Sequence, residues 1–171
     1  MRYFEQFPTI VYEKYQVKDI LANVTIDQVV QLSSESYYPY VLTDGQEPWM
    51  LAADYYGDPN LVWLVYMANK TEDPYHDWFM DTYHFEESIK KKYGTLAAAQ
   101  AQVAYYQDPT TGIKYTADSY THSTDPNKSS WVQVSVYDDA HDKNEARRNI
   151  KLLSRGYAPQ AEANLKALLE S

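Results

Sequence analysis

The chain has 171 residues, 44% of them apolar and 23% charged, so it is long and apolar enough to bury a core, and a wholly disordered chain is excluded. There is no cysteine, which removes disulfides, thiolate metal sites and thiol nucleophiles. With 15 basic against 24 acidic residues the net charge is −9, which leaves no positive footprint for a nucleic-acid partner.

Residues 1–36 read as an N-terminal arm. Met1–Glu5 has no apolar core of the kind a secretory signal needs, and no apolar run approaches the ~20 residues of a membrane span. A soluble protein made in a cytoplasm is expected, with no membrane partner. Tyr3, Phe4, Phe7 and Pro8 lead into Thr9–Tyr12, a β-prone run, and Asn23–Ile26 reads as a second strand. These flanking apolar residues have little local structure to cover them.

Residues 37–95 form the most patterned stretch. Tyr38–Leu42 reads as a strand with Pro39 on an edge, and Thr43-Asp44-Gly45 as a turn. Pro48 opens a helix with Trp49, Ala52, Ala53 and Tyr56 on one face, and Gly57 ends it. Asp58 caps a second helix with Pro59 at its first position and Leu61, Leu64 and Val65 as its core face; Asn69 terminates it. Asp73-Pro74 is a turn, and Trp78–Met80 is expected as a closing strand. Phe85 and Ile89 mark a further helix that stops at Tyr93-Gly94.

Residues 96–171 read as a C-terminal extension. Thr95 caps a helix expected over Leu96–Tyr106, Asp108–Gly112 is a turn, and Ile113–Thr116 a short strand. Residues 117–130 read as a loop. Trp131–Tyr137 is expected as a strand with three valines on one face, Asp138–Arg148 as a solvated charged turn, and Asn149–Leu153 as a returning strand. Tyr157–Leu169 is a terminal helix with Ala161, Leu165, Leu168 and Leu169 on one face. The fold class is therefore α+β, with a central β-α-α-β module between an arm and a strand-plus-helix extension.

The chemistry-bearing side chains do not assemble into a reaction site. His76, Asp77, Asp81 and His84 would need one continuous helix to meet on a metal, and Pro74 with the extended Trp78–Met80 run splits them. Asp138, Asp139, His141 and Asp142 lack the alternating ligands and central glycine of a calcium loop. Neither Glu47 with Asp54 nor Glu86 with Glu87 has an insert that builds a glycosidase cleft between them. Trp49, Trp63 and Trp78 suit a sugar-stacking platform or a core, and helical periodicity favours core for at least two. The reading is no enzyme, no cofactor and no metal. The 18 tyrosines, each a large ring with a polar tip, suit surfaces half covered by a neighbour.

The strand followed by Asp44-Gly45, Glu47-Pro48, Leu51-Ala52-Ala53, Tyr55–Pro59, Trp63, Asn69 and Asp73-Pro74 resembles a LysM module. That resemblance implies a shallow groove for N-acetylglucosamine polymers such as peptidoglycan, lined here by Asp44, Gly45, Glu47, Asn69, Asp73 and Tyr75. A longer match adds Tyr3-Phe4, Phe7-Pro8, Asp77-Trp78, Lys92–Gly94 and the run Asn144–Leu153. Together they resemble the gene product 53 family of tailed-phage baseplate wedge subunits, whose core is LysM-like. The implied role is a structural subunit of a contractile-tail baseplate in the virion, assembled in the host cytoplasm. It would join neighbouring wedges by contacts with other wedge subunits, and with hub or sheath-initiating subunits. Tyr3, Phe4, Phe7, Trp131, Tyr137 and Leu165 are the expected partner-contact residues. The alternative is a carbohydrate-binding module, either free-standing or accessory to a lysozyme-type enzyme.

Overall fold

The computed structural model of the chain describes residues 3–20 and 36–170; the strand expected at Asn23–Ile26 lies outside them. The elements run β1 (Thr9–Tyr12), β2 (Tyr15–Lys18), β3 (Tyr37–Val41), α1 (Pro48–Tyr56) and α2 (Val62–Asn69). Then come α3 (Thr82–Tyr93), α4 (Leu96–Ala101), β4 (Val103–Gln107), β5 (Lys114–Tyr115), α5 (Ala117–His122), β6 (Val132–Ser135) and α6 (Val136–Ala146). β7 (Asn149–Leu153) and α7 (Ala158–Glu170) follow. Helices and strands mix as an α+β protein. Two units result: unit 1 takes Met1–Trp78 and Asn149–Ser171, and unit 2 takes Phe79–Arg148.

In unit 1 the order strand, helix, helix, strand is present, but its closing strand is β7 and not Trp78–Met80. β7 also does not return beside residues 131–137. It pairs antiparallel with β3, Tyr38 opposite Leu152 and Tyr40 opposite Ile150. Ile150, Leu152 and Leu153 are buried, which rewards this pairing over an exposed hairpin. Lys151 donates its N–H to Asn69 Oδ1 at 2.8 Å, and its carbonyl accepts from Asn69 Nδ2 at 2.9 Å. Those groups therefore point away from β3, which makes Lys151 and Pro39 a non-hydrogen-bonded pair. The missing N–H of Pro39 costs no rung there, so the proline is tolerated within the strand.

The α2 face is the expected one: Leu61, Leu64 and Val65 are all buried. In α1 the face is rotated from the expected one. Trp49 is 53% exposed, while Pro48, Leu51 and Ala52 are buried. The α1 sequence is apolar around more than one side, so spacing alone does not select the inner face. Gly57 ends α1 at φ 81°, in the left-handed region. Tyr56 donates its hydroxyl to the Leu153 carbonyl at 2.9 Å, and burial, with Tyr55 beside it, pushes its phenol well above the usual range. Helix α7 buries Ala158, Ala161, Leu165 and Leu169, spaced by three and four, in a core shared with Phe7, Trp63, Leu64 and Leu153.

Unit 2 departs more from expectation. The helix begun by the Thr95 cap stops at Ala101, and Val103–Gln107 is the centre of a three-stranded antiparallel sheet ordered β5-β4-β6. The β-branched and aromatic side chains of that run find partners on both sides, which overrides the helical continuation. The stretch expected as a loop holds α5, capped by Thr116, whose hydroxyl oxygen accepts from the Ser119 amide at 3.1 Å. The strand expected over Trp131–Tyr137 ends at Ser135. The charged run after it is α6, not a turn. Ser135 caps α6 by accepting from the Asp138 amide at 3.0 Å, and acidic residues fill the first turn. Lys143 and Asp139 pair one turn apart at 2.6 Å. Phe85, Ile89 and Ala99 form the unit 2 core with Met80, Val136, Tyr137 and Ala140 against it.

Trp78–Met80 needs no strand partner, because α6 supplies one side chain in its place. Asn144 Nδ2 donates to the Met80 carbonyl at 2.8 Å, and its Oδ1 accepts from the Met80 N–H at 2.9 Å. Asn144 is buried, and both bonds are partly buried. Asn69 and Asn144 thus do the same work: each satisfies both backbone groups of one extended residue.

Candidate interaction surface

β1 and β2 are joined by Glu13-Lys14, and all eight strand residues are exposed. Two β-prone runs separated by two residues are a hairpin signal; sequence reading used the first and missed the second. Glu13 sits at φ 54°, a left-handed conformation that favours glycine, in this two-residue turn. Val11 is 73% exposed and Tyr12 67%, and Ile10, Tyr15 and Val17 are also exposed. Apolar side chains are exposed on both faces of the ribbon. An isolated two-stranded hairpin is marginal in water, and this one is held at its root. There, Lys18 Nζ donates to the Phe7 carbonyl at 2.7 Å and the Glu5 carbonyl at 3.0 Å.

The six expected contact residues divide by burial. Phe7, Leu165 and Trp131 are buried within their own units. Tyr3 is half-buried and stacks on Trp63 with ring centres 5.7 Å apart. Tyr137 is half-buried and meets Phe85 edge-on at 5.7 Å. Phe4 is the exposed one, at 63%. Phe7 and Tyr3 therefore anchor the chain that carries Phe4 and the ribbon outward. Trp131 lies in a stack of its own unit, 4.0 Å from Tyr115 and 5.9 Å from Tyr120, with Tyr120 on Tyr106 at 3.8 Å.

The expected groove residues are partly gathered. Trp78 Nε1 donates to the Gln46 carbonyl at 3.1 Å, and its ring meets Tyr66 edge-on at 6.4 Å, which ties the turn before α1 to the segment after α2. Burial first, then the charges of Glu47 and Tyr75, push the Tyr66 phenol above its usual value. Tyr75 is fully displayed at 87% exposure. Asp44 and Gly45 are exposed in the turn. Asn69 is engaged with Lys151, and Asp73 with the His76 ring at 2.6 Å and the Tyr75 amide at 2.9 Å. Those bonds, the His76 one foremost, hold the Asp73 carboxyl below its usual range. Trp63 and Trp78 are core residues, so two of the three tryptophans are buried, but Trp49, which helical spacing also placed on an inner face, is exposed.

The remaining titratable candidates have local structural roles. Asp77 accepts from the Asp73 amide at 2.9 Å, and Asp81 caps α3 by accepting from the His84 amide at 2.8 Å. Among the described residues, no group of three or more His, Cys, Asp or Glu side chains is arranged to hold a metal ion. No helix is long and apolar enough to cross a membrane, among those residues.

The N-terminal ribbon turns apolar side chains outward. A family model described as base plate wedge protein 53 matches residues 7–133, well over half of the chain, beginning at the ribbon's root. No curated protein matches it. The chain belongs to the base plate wedge protein 53 family and is a structural component of the phage baseplate, hence of the virion.

Proposed function

We propose that this subunit joins neighbouring wedges by protein–protein contacts, with Phe4 and the β1–β2 ribbon as the contacting element. The observation that carries this is the ribbon itself: Ile10, Val11, Tyr12, Tyr15 and Val17 are all exposed on one hairpin. Contiguous exposed apolar surface marks an interaction site, and aromatic anchors supply most of an interface's binding energy. Phe7, Tyr3 and Leu165 support the contact from behind by fixing the ribbon's root to unit 1. The partners are other wedge subunits, with hub or sheath-initiating subunits as further candidates, and assembly takes place in the host cytoplasm. Binding alone accounts for this role, and no catalytic group is required.

The test is light scattering of the protein mixed with purified wedge subunits. The wild-type chain is expected to form a complex. Changing Val11, Tyr12 and Tyr15 to serine is expected to weaken it by roughly 30-fold or more, equivalent to about 2 kcal/mol. Thermal unfolding should hardly change, since these side chains are exposed. A full-strength complex with the triple variant would remove the ribbon from the interface.

A second reading is favoured by Trp78, which bonds the Gln46 carbonyl and meets the Tyr66 ring, so tying the turn before α1 to the segment after α2. The order β3-α1-α2-β7 and this loop pair support a LysM-like core that binds peptidoglycan. Firm retention on purified peptidoglycan, unaffected by the ribbon substitutions, would favour it over the first.

A further inference from the structure

The ribbon has an open edge as well as open faces. Asp19 donates its N–H to the Pro8 carbonyl at 2.8 Å, which extends the ladder by one bonded pair. Alternation along the register then makes Ile10–Val17 a bonded pair and Thr9–Lys18 and Val11–Gln16 non-bonded pairs. In non-bonded pairs the N–H and C=O groups point outward. On β1 these are the four backbone groups of Thr9 and Val11, and none has a partner among the described residues. On β2 the outward Lys18 carbonyl is already taken by the Ile20 N–H at 3.1 Å. The β1 edge is thus the complete one.

We infer that β1 accepts an extended strand from another baseplate subunit, which pairs with the backbone of Thr9 and Val11. This rests on the wedge-joining reading and names its geometry. A third strand converts a marginal two-stranded ribbon into a sheet and satisfies four backbone groups at once. The chemistry of the occupant follows from the ribbon. Its exposed Ile10 and Val17 on one face and Val11 on the other call for apolar, β-branched side chains on both faces of that strand. Lys14 and Lys18 against Glu13 make Thr9–Lys18 locally positive in a chain of net charge −9, so the incoming strand is flanked by acidic residues. A second copy of this chain fits less well. Two copies repel through their net charge, and β3 turns Pro39, which has no N–H, toward its outer edge.

The test uses the full-length protein with the purified remaining wedge subunits of the same phage, read by light scattering and residue-resolved amide exchange. In the complex the Thr9 and Val11 amides are expected to exchange at least tenfold more slowly. Val11→Pro deletes an outward N–H without removing a rung of the ribbon, and it is expected to weaken the complex at least tenfold. Gln16→Pro, which deletes the equivalent group from the β2 edge, and Val11→Thr, which keeps the N–H, are expected to change it less than threefold. A wild-type complex with Val11→Pro, or unchanged Thr9 and Val11 exchange within a complex, overturns the strand pairing and leaves wedge joining intact. Equal losses from Val11→Pro and Gln16→Pro overturn it in favour of general ribbon integrity. Doubled mass of the protein alone, abolished by Val11→Pro, overturns it in favour of β1–β1 pairing between copies. No complex with any subunit removes this proposal and the wedge-joining reading together.

Discussion

Replacing Asn144 by alanine is expected to destabilise unit 2 by about 2–4 kcal/mol, a large effect for one exposed-type side chain. The asparagine is 5% exposed, and its amide satisfies both the N–H and the C=O of Met80. Alanine leaves a partly buried donor and acceptor without this partner, and each unsatisfied buried group costs about 1–3 kcal/mol. Asn144→Asp keeps the acceptor but loses the donor and buries a carboxyl, so it should not rescue the loss. The matching change Asn69→Ala is expected to cost less, about 1 kcal/mol, because the bonds to Lys151 lie at an exposed position that water can take over. Urea unfolding measures the difference, and amide exchange at Met80 localises it. An Asn144→Ala protein within about 0.5 kcal/mol of wild type would show that the clamp does not hold this segment.

Leu165→Ala is expected to cost about 3–4 kcal/mol in unit 1. The side chain is fully buried, on the α7 stripe that packs with Phe7, Leu64 and Leu153. Truncation removes its transfer energy and leaves a cavity that a helix between fixed neighbours closes only in part. Leu168→Ala, on the same helix but 39% exposed, should cost about 1 kcal/mol or less. The pair also separates two roles for Leu165. A residue reserved for a partner would lose complex formation while the isolated chain kept its stability. Here the isolated chain is expected to unfold at lower urea, with binding affected only through the loosened root of the ribbon.

The elements of unit 1 were largely legible because local chemistry agrees with the fold. Pro48, Gly57, Asp58 and Pro59 mark helix ends by conformation alone, and Leu61, Leu64 and Val65 mark a face by spacing. Strand partnership was not legible. Tyr37–Val41 and Asn149–Leu153 each read as strands, yet nothing local states that one pairs with the other across 112 residues, from Pro39 to Lys151. Trp78–Met80 misled because an extended, aromatic run has the composition of a strand whether its backbone meets another strand or an asparagine side chain. In unit 2 the Ser135 cap, three residues before Asp138, was a helix start hidden inside a valine-rich run. The charges that follow then read as a turn, when those up to Ala146 belong to α6. Of the candidate surface, Phe4 was visible as an apolar residue on an arm. The separation of Phe4, exposed, from Phe7, buried, was not, since burial depends on α7, which is distant in sequence.

The placement of β7 after unit 2 has a consequence on the ribosome. The sheet of unit 1 cannot close until residue 149 has been made, whereas unit 2 is one unbroken stretch, Phe79–Arg148. At about 5–20 residues per second, those 70 residues take roughly 4–14 s to emerge, far longer than helices and hairpins need to form. The nascent chain therefore completes its later-encoded unit first, while β3, α1 and α2 wait with their apolar sides uncovered for a strand not yet translated.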